Sequence, residues 1–256
     1  MSVLDLFRLD GKTAIVTGGG RGLGAQIAES YAEAGANVVV CSRSLESCEE
    51  MSTKLKTLGV ESLAYKCDVT DPVQVKEVVD GTRERFGRID ILVNNSGASW
   101  AAPAEEMPIE AWEKVLNVNV TGTFLMSRET GKVMISQKGG KIINISSIAG
   151  FGGTHPFMQT IGYNTSKGAV MTFTKDLAVK WGRHGINVNA IAPGFFPTKM
   201  SKVLIERGKD FIMESTPLGR LGNNSDLKGA ALFLAAPASD YITGDILTVD
   251  GGMHAL

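Results

Sequence analysis

Short apolar runs recur along the chain, and each ends in a small cluster of polar or glycine residues. Residues 13–17 (TAIVT), 37–41 (NVVVC), 62–67, 89–93, 141–145, 186–191 and 245–249 have this form. Their length and their richness in Val, Ile and Leu predict strands covered on both faces. Between them the period changes. Apolar residues recur at three- and four-residue spacing over 25–34, 45–58, 72–86, a long stretch from 108 to about 136, and 163–181, which predicts helices. Seven strands alternating with helices imply a parallel sheet with right-handed crossovers and helices on both faces. The expected fold class is therefore α/β, doubly wound, in a single domain over residues 1–256.

Such a sheet binds its ligand beyond the carboxyl ends of the strands. Thr17, Ser42 and Arg43, Asp68, Asn94 and Asn95, Ser146 and Ser147, and Pro193 and Gly194 each directly follow an apolar run. The first of these ends is the most specific, since TGGGRGLG (17–24) joins a strand to a helix with Gly18, Gly22 and Gly24 in Gly-xxx-Gly-x-Gly spacing. Glycine permits positive φ and close backbone approach, and the first N–H groups of the following helix attract an anion, so the turn suits a pyrophosphate. A plain strand-to-helix corner uses glycine too. The stretch 195–217 follows a strand, carries Pro197 early and has an amphipathic middle (Met200, Val203, Leu204, Phe211, Ile212), which suggests a lid over the site.

A second candidate lies in YNTSK (163–167), where Tyr163 and Lys167 stand four residues apart on one helix face. A phenol of pKa ~10 must fall by about three units, ~4 kcal/mol, to exchange protons near neutrality. One cation at ~4 Å in an effective dielectric of ~20 supplies about that much, so Lys167 is expected to lower the Tyr163 pKa.

Composition narrows the partners. A net charge of -1 offers no broad basic field for nucleic acid or an anionic membrane. No apolar run approaches the length of a membrane span, and Asp5, Arg8 and Asp10 interrupt the place where a signal peptide needs an apolar core, so a cytoplasmic location is expected. Cys41, Cys48 and Cys67 form no CxxC pair, and His155, His184 and His254 are scattered, so reduced thiols and no metal are expected.

Six motifs in order, TGGGRGLG (17–24), NNSG (94–97), NVNVTG (117–122), INISS (143–147), YNTSK (163–167) and PGFFPT (193–198), resemble the short-chain dehydrogenase/reductase family over nearly the whole chain. The resemblance implies a Rossmann-type domain with a seven-stranded parallel sheet and a catalytic set of Asn119, Ser147, Tyr163 and Lys167. Tyr163 would be the acid/base, Ser147 the hydroxyl that polarises the carbonyl, Lys167 the residue that tunes the phenol and holds the nicotinamide ribose, and Asn119 the residue that orders a relay water. Asn117 competes with Asn119, and Ser146 with Ser147; position within the motifs favours the second of each pair. Ser147 and Tyr163 are sixteen positions apart, longer than the family pattern, and the extra length falls in 151–162.

For the cofactor, the resemblance implicates Gly18, Arg21, Gly22, Leu23, Gly24, Ser42, Arg43, Asp68, Val69, Asn95, Gly97, Tyr163, Lys167, Pro193, Gly194 and Thr198, with Asn94 bracing the central strand. Asp68 would contact adenine, or else merely begin the helix near Pro72. An acid usually grips a free ribose 2′-OH after the second strand, but Ser42 and Arg43 stand there and Arg21 lies nearby, so NADP(H) is the expected cofactor.

Segments GASW (97–100), WEK (112–114), FPTKM (196–200) and PLGR (217–220) resemble 3-oxoacyl thioester reductases, including the rhamnolipid-type branch, which makes that activity the first expectation. The LFRLDGK segment (6–12) resembles gluconate 5-dehydrogenases, so a sugar or polyol oxidoreductase is the alternative. Lys138 and His184 occupy places where carrier-protein reductases offer docking arginines, which weakens carrier-protein docking. A non-catalytic NADP(H)-sensing regulator is a remote third, since such proteins usually lose the Tyr/Lys pair. Apolar residues spread around more than one face of 112–135 and of the helix after Tyr163, which implies burial against further copies; the resemblance makes that assembly a homotetramer.

Overall fold

The computed structural model describes residues 2–255. Its strands are β1 (Thr13–Thr17), β2 (Asn37–Ser42), β3 (Ser62–Lys66), β4 (Ile91–Asn94), β5 (Gly140–Ile145), β6 (Ile186–Pro193) and β7 (Ile246–Val249). Its α-helices are α1 (Gly22–Glu33), α2 (Leu45–Lys56), α3 (Pro72–Phe86), α4 (Ile109–Leu116), α5 (Gly122–Gln137), α6 (Ile161–Trp181), α7 (Lys202–Glu214) and α8 (Lys228–Ala235).

All strands pair in parallel in the order β3-β2-β1-β4-β5-β6-β7. The fold is thus the expected Rossmann-type α/β sheet. Strand order reverses between β1 and β4, which opens a crevice at their carboxyl ends. Alternate residues of a strand serve opposite faces, as in β2: Val38 and Val40 pack with α1, α2 and α8, while Val39 and Cys41 pack with α3, α5 and α6. Helix ends follow local chemistry. Asp71 caps α3 by accepting from the N–H groups of Val73 and Gln74, Pro72 occupies the first turn, and Gly87 closes the helix at φ 73°.

Three features differ from the periodicity. The stretch expected as one helix from 108 to 136 is divided by a π turn, Asn117–Thr121, in which the Gly122 N–H reaches back to the Asn117 carbonyl. The hydrophobic pattern continues through this turn, so the period conceals it; such turns often mark functional sites. Helix α8 was not anticipated because KGAALFLA is too short and too uniformly apolar to show a period. It covers α1, where the Tyr31 hydroxyl donates to the Ala231 carbonyl at 3.2 Å. The segment expected as a lid contains α7, broken at Gly208.

Candidate active site

At the crevice, β1 runs into the glycine turn and α1. Gly18 and Gly22 adopt φ of 62° and 58°, and a Cβ on Gly24 would lie 2.3 Å from the Gly18 carbonyl oxygen, so the turn closes only with glycine there. Arg21 occupies the N-cap without a side-chain cap, so the first N–H groups of α1 remain available to an anion. Asn95 ties β4 to this turn: its Nδ2 donates to the carbonyls of Thr17 (2.9 Å) and Gly18 (3.2 Å). The Thr17 hydroxyl accepts from the N–H groups of Asn95 and Ser96. These observations fit the residues to a dinucleotide pyrophosphate. Leu23 turns partly into the core, and Thr198 closes the other side, since a Cβ on Gly22 would come within 3.8 Å of its Cγ2. Pro193 ends β6, and Gly194 donates to Val249.

The π turn brings Asn119 into the protein and leaves Asn117 exposed. Asn119 Oδ1 accepts from Ala98 N (2.7 Å), and its Nδ2 donates to Ala98 O (2.9 Å) and to Ser166 Oγ (2.8 Å). Ser166 in turn donates to the Tyr163 carbonyl at 2.7 Å. Gly97 belongs to the same cluster: a Cβ there would stand 3.4 Å from Asn119 Oδ1 and 3.9 Å from Lys167 Nζ. Ser146 is buried and donates to the Lys167 carbonyl, which leaves Ser147 as the serine facing the site. Sequence reasoning did not single out Ser166 within YNTSK; its position one helical turn from Tyr163 was the available signal.

Burial pushes the Tyr163 phenol above its ordinary range, and hydrogen bonding with Ser147 opposes that shift. Lys167 donates to the Ile145 carbonyl at 2.7 Å and lies over the Tyr163 ring, 5.5 Å from its centroid. Burial pushes its ammonium down to about 8. The expectation that Lys167 lowers the phenol's pKa is therefore corrected for the protein alone. The cation sits over the ring and is engaged by a carbonyl, and desolvation of the phenol prevails.

Asp68 does not begin α3, since Asp71 caps it; Asp68 Oδ1 instead accepts from the N–H and hydroxyl of Thr70. Val69 is buried against Gly122. Ser42 turns its hydroxyl to Ser44 O (3.0 Å) and Cys48 Sγ (3.2 Å). Arg21 and Arg43 are exposed, and neither forms an ion pair among the described residues. Asn94 braces the sheet as expected, donating to Asn144 Oδ1 and Ser127 Oγ. Cys41, Cys48 and Cys67 are buried free thiols, and no His, Cys, Asp or Glu cluster suited to a metal occurs among the described residues.

The segment 151–160 forms a wall in contact with α6, α7 and the C-terminal segment. Gln159 O accepts from Ala102 N at 2.9 Å, Phe151 stacks on His254 at 3.9 Å, and His155 and Phe157 meet Phe211 of α7. A cavity of about 620 Å3 is lined by residues of this wall, by residues 102–105 and, on α6, by Asn164, Thr165 and Gly168; Tyr163 and Lys167 do not line it.

A family model described as enoyl-(acyl carrier protein) reductase matches residues 18–254. The chain is 41% identical to a 2-dehydro-3-deoxy-D-gluconate 5-dehydrogenase of Pseudoalteromonas atlantica over 98% of each protein. A 3-oxoacyl-acyl-carrier-protein reductase of Aquifex aeolicus is 36% identical, over 96% of this chain and 98% of that protein. A solved gluconate 5-dehydrogenase from Burkholderia cenocepacia, in complex with NADP and tartrate, superposes with a TM-score of 0.95 at 37% identity, covering all of both chains.

Proposed function

Because the chain belongs to the short-chain dehydrogenase/reductase family, an oxidoreductase family, we propose that it interconverts a ketone and a secondary alcohol on a hydroxylated carbon chain, a sugar acid or polyol, using NADP(H). The observation that carries the reaction class is the convergence of Ser147, Tyr163, Lys167 and Asn119 beside the glycine turn. A nicotinamide held beside these residues would supply or accept the hydride. Ser147 and Tyr163 hold the substrate oxygen, and the raised phenol, protonated at neutral pH, gives its proton to that oxygen during reduction. Lys167 positions the ribose, while the Asn119 clamp on Ala98 and Ser166 fixes α6 against the loop after β4. The rival regulator is disfavoured because this proton-transfer set is complete.

The sugar-acid reading displaces the first expectation, a 3-oxoacyl thioester reductase, because gluconate-type enzymes stand among the similar proteins at the higher identity. The aromatic wall of Phe157 and Phe211 is the observation that keeps the thioester reading second. NADPH consumption with 5-ketogluconate, acetoacetyl thioester and a simple diketone separates them. Faster turnover of the thioester reverses the order, and no turnover of any ketone removes the reductase reading.

Unpaired Arg21 and Arg43 support the preference for a 2′-phosphate. The reading also takes residues 1–256 as one catalytic domain, 195–217 as its lid and a homotetramer as its assembly. Exposed Phe124 on α5 and Val179 on α6 support further burial. Light scattering at four times 27.2 kDa is the expected result, and a mass of one chain would refute the assembly. No helix among the described residues is long and apolar enough to cross a membrane.

A further inference from the structure

The lid helix α7 carries one irregularity. Gly208 has φ −116° and ψ 21° inside the helix and is buried. Those angles are open to any L-residue, so the backbone alone does not require glycine. The neighbour requires it: a Cβ on Gly208 would lie 2.4 Å from Phe157 Cζ, so the Phe157 ring occupies the place of the missing side chain. Phe211, three residues further along α7, meets the same ring edge-on at 5.5 Å and 82°. His155 lies against both rings, 4.9 Å from Phe157 and 4.4 Å from Phe211.

None of these three side chains belongs to the two cores on the faces of the sheet. They join only the wall at 151–160 to the lid. The wall is fixed elsewhere by the Ala102–Gln159 hydrogen bond, the Phe151–His254 stack and the bonds of Thr154 and Thr160 to Asn164. Wall residues also line the cavity of about 620 Å3 that they share with residues 102–105 and α6, so close packing on that side does not set the wall's position.

We propose that Phe157, seated in the notch at Gly208, is a specificity-determining positioning residue: it fixes the separation of lid helix and wall, and so sets the size of carbonyl substrate the closed site admits. The inference rests on the reading of this site as a carbonyl reductase with a lid at 195–217. It goes beyond that reading in naming the contact that gives the lid its register.

The test uses the full-length protein with NADPH bound and four variants: Phe157→Ala, Phe157→Leu, Gly208→Ala and the double variant Phe157→Ala with Gly208→Ala. Two quantities are measured: tryptic cleavage within the lid, at Lys199, Lys202, Arg207 or Lys209, and kcat/KM over ketones of graded length. Phe157→Ala is expected to speed lid cleavage about tenfold and to shift the ratio of long to short ketones about tenfold, mainly through KM, while Phe157→Leu restores most of both. Gly208→Ala should mimic Phe157→Ala by expelling the ring, and the double variant should be no worse than Phe157→Ala alone, since the clash is gone. Unchanged lid cleavage, additive effects in the double variant, or a common factor across all ketones would each overturn the proposal. Should the unaltered protein reduce no ketone, the reductase reading fails, whereas the cleavage and double-variant results still decide the contact.

Discussion

On the dinucleotide side, position is enforced by hydrogen bonds to backbone: Asn95 to Thr17 and Gly18, Asn119 to Ala98, Lys167 to Ile145. On the side of the 151–160 wall, contacts are made chiefly through rings: Phe151 stacks on His254 of the C-terminal segment, and Phe157 sits among His155 and, on α7, Phe211 and Gly208. Directional bonds hold reacting groups to within a fraction of an ångström, which proton and hydride transfer require. Ring contacts tolerate repacking with modest loss, so a pocket built from them can change size while the chemistry beneath it stays fixed. That contrast accounts for a reaction class legible from a handful of residues beside a substrate that depends on many.

The sharpest break on the hydrogen-bonded side is Tyr163→Phe. The ring and its packing survive, but the proton donor is lost, so kcat should fall by about 10³ or more while NADPH affinity stays within about twofold. A mutant retaining a tenth of the original kcat would remove Tyr163 from its role. The same group predicts an asymmetry with pH. The phenol is raised, so its protonated form, the one reduction uses, persists through neutral and mildly alkaline solution. Alcohol oxidation needs the phenolate and should accelerate as pH rises above neutrality. Equal pH profiles for the two directions would contradict this assignment.

This division also explains what the sequence reveals. Strands β1, β2 and β5 are apolar runs with sharp polar ends, so their positions and the crevice they feed can be read directly. Asn119 is legible as a motif, but its inward turn depends on a π turn that leaves no mark on the hydrophobic period. Likewise the 163–167 pair was apparent, whereas the raised phenol was not, because spacing reports proximity and says nothing of desolvation. The contact between Phe157 and Gly208 joins residues fifty-one positions apart on separate segments; only the fold brings them together.

A second break concerns Lys167 and stability in the protein without cofactor. Its ammonium is pushed down to about 8 from an ordinary 10.5, so below pH 8 the folded protein carries a buried charge at a cost, and that cost fades as pH rises towards 10.5. Between these values the unfolded chain binds more protons than the folded one, so this residue's contribution to stability increases with pH. Over the full window the change amounts to about 3 kcal/mol. Lys167→Met removes it. Denaturant titrations of both proteins at pH 7, 8, 9 and 10 should show the original protein gaining on the variant as pH rises. A constant difference would mean that Lys167 is not desolvated as the structure has it.

The smallest expected effect lies at the outer rim of the dinucleotide side, where exposed side chains replace buried hydrogen bonds. Arg21 and Arg43 are free of carboxylates among the described residues, and Ser42 stands where an acid would grip a ribose hydroxyl. A charge-assisted contact to a 2′-phosphate is worth about 1.5–3 kcal/mol, so kcat/KM should favour NADPH over NADH by at least about tenfold. Solvent screens these arginines, which is why the factor is modest beside the loss at Tyr163. Ser42→Asp places a carboxylate beside the phosphate position and should move the preference towards NADH, whereas Arg43→Ala should weaken NADPH without improving NADH. Added salt should narrow the preference of the original protein but leave the NADH rate nearly unchanged. Equal use of the two cofactors at low salt would show that the arginines never meet the phosphate, and the rim would then belong with the adaptable side of the site rather than the fixed one.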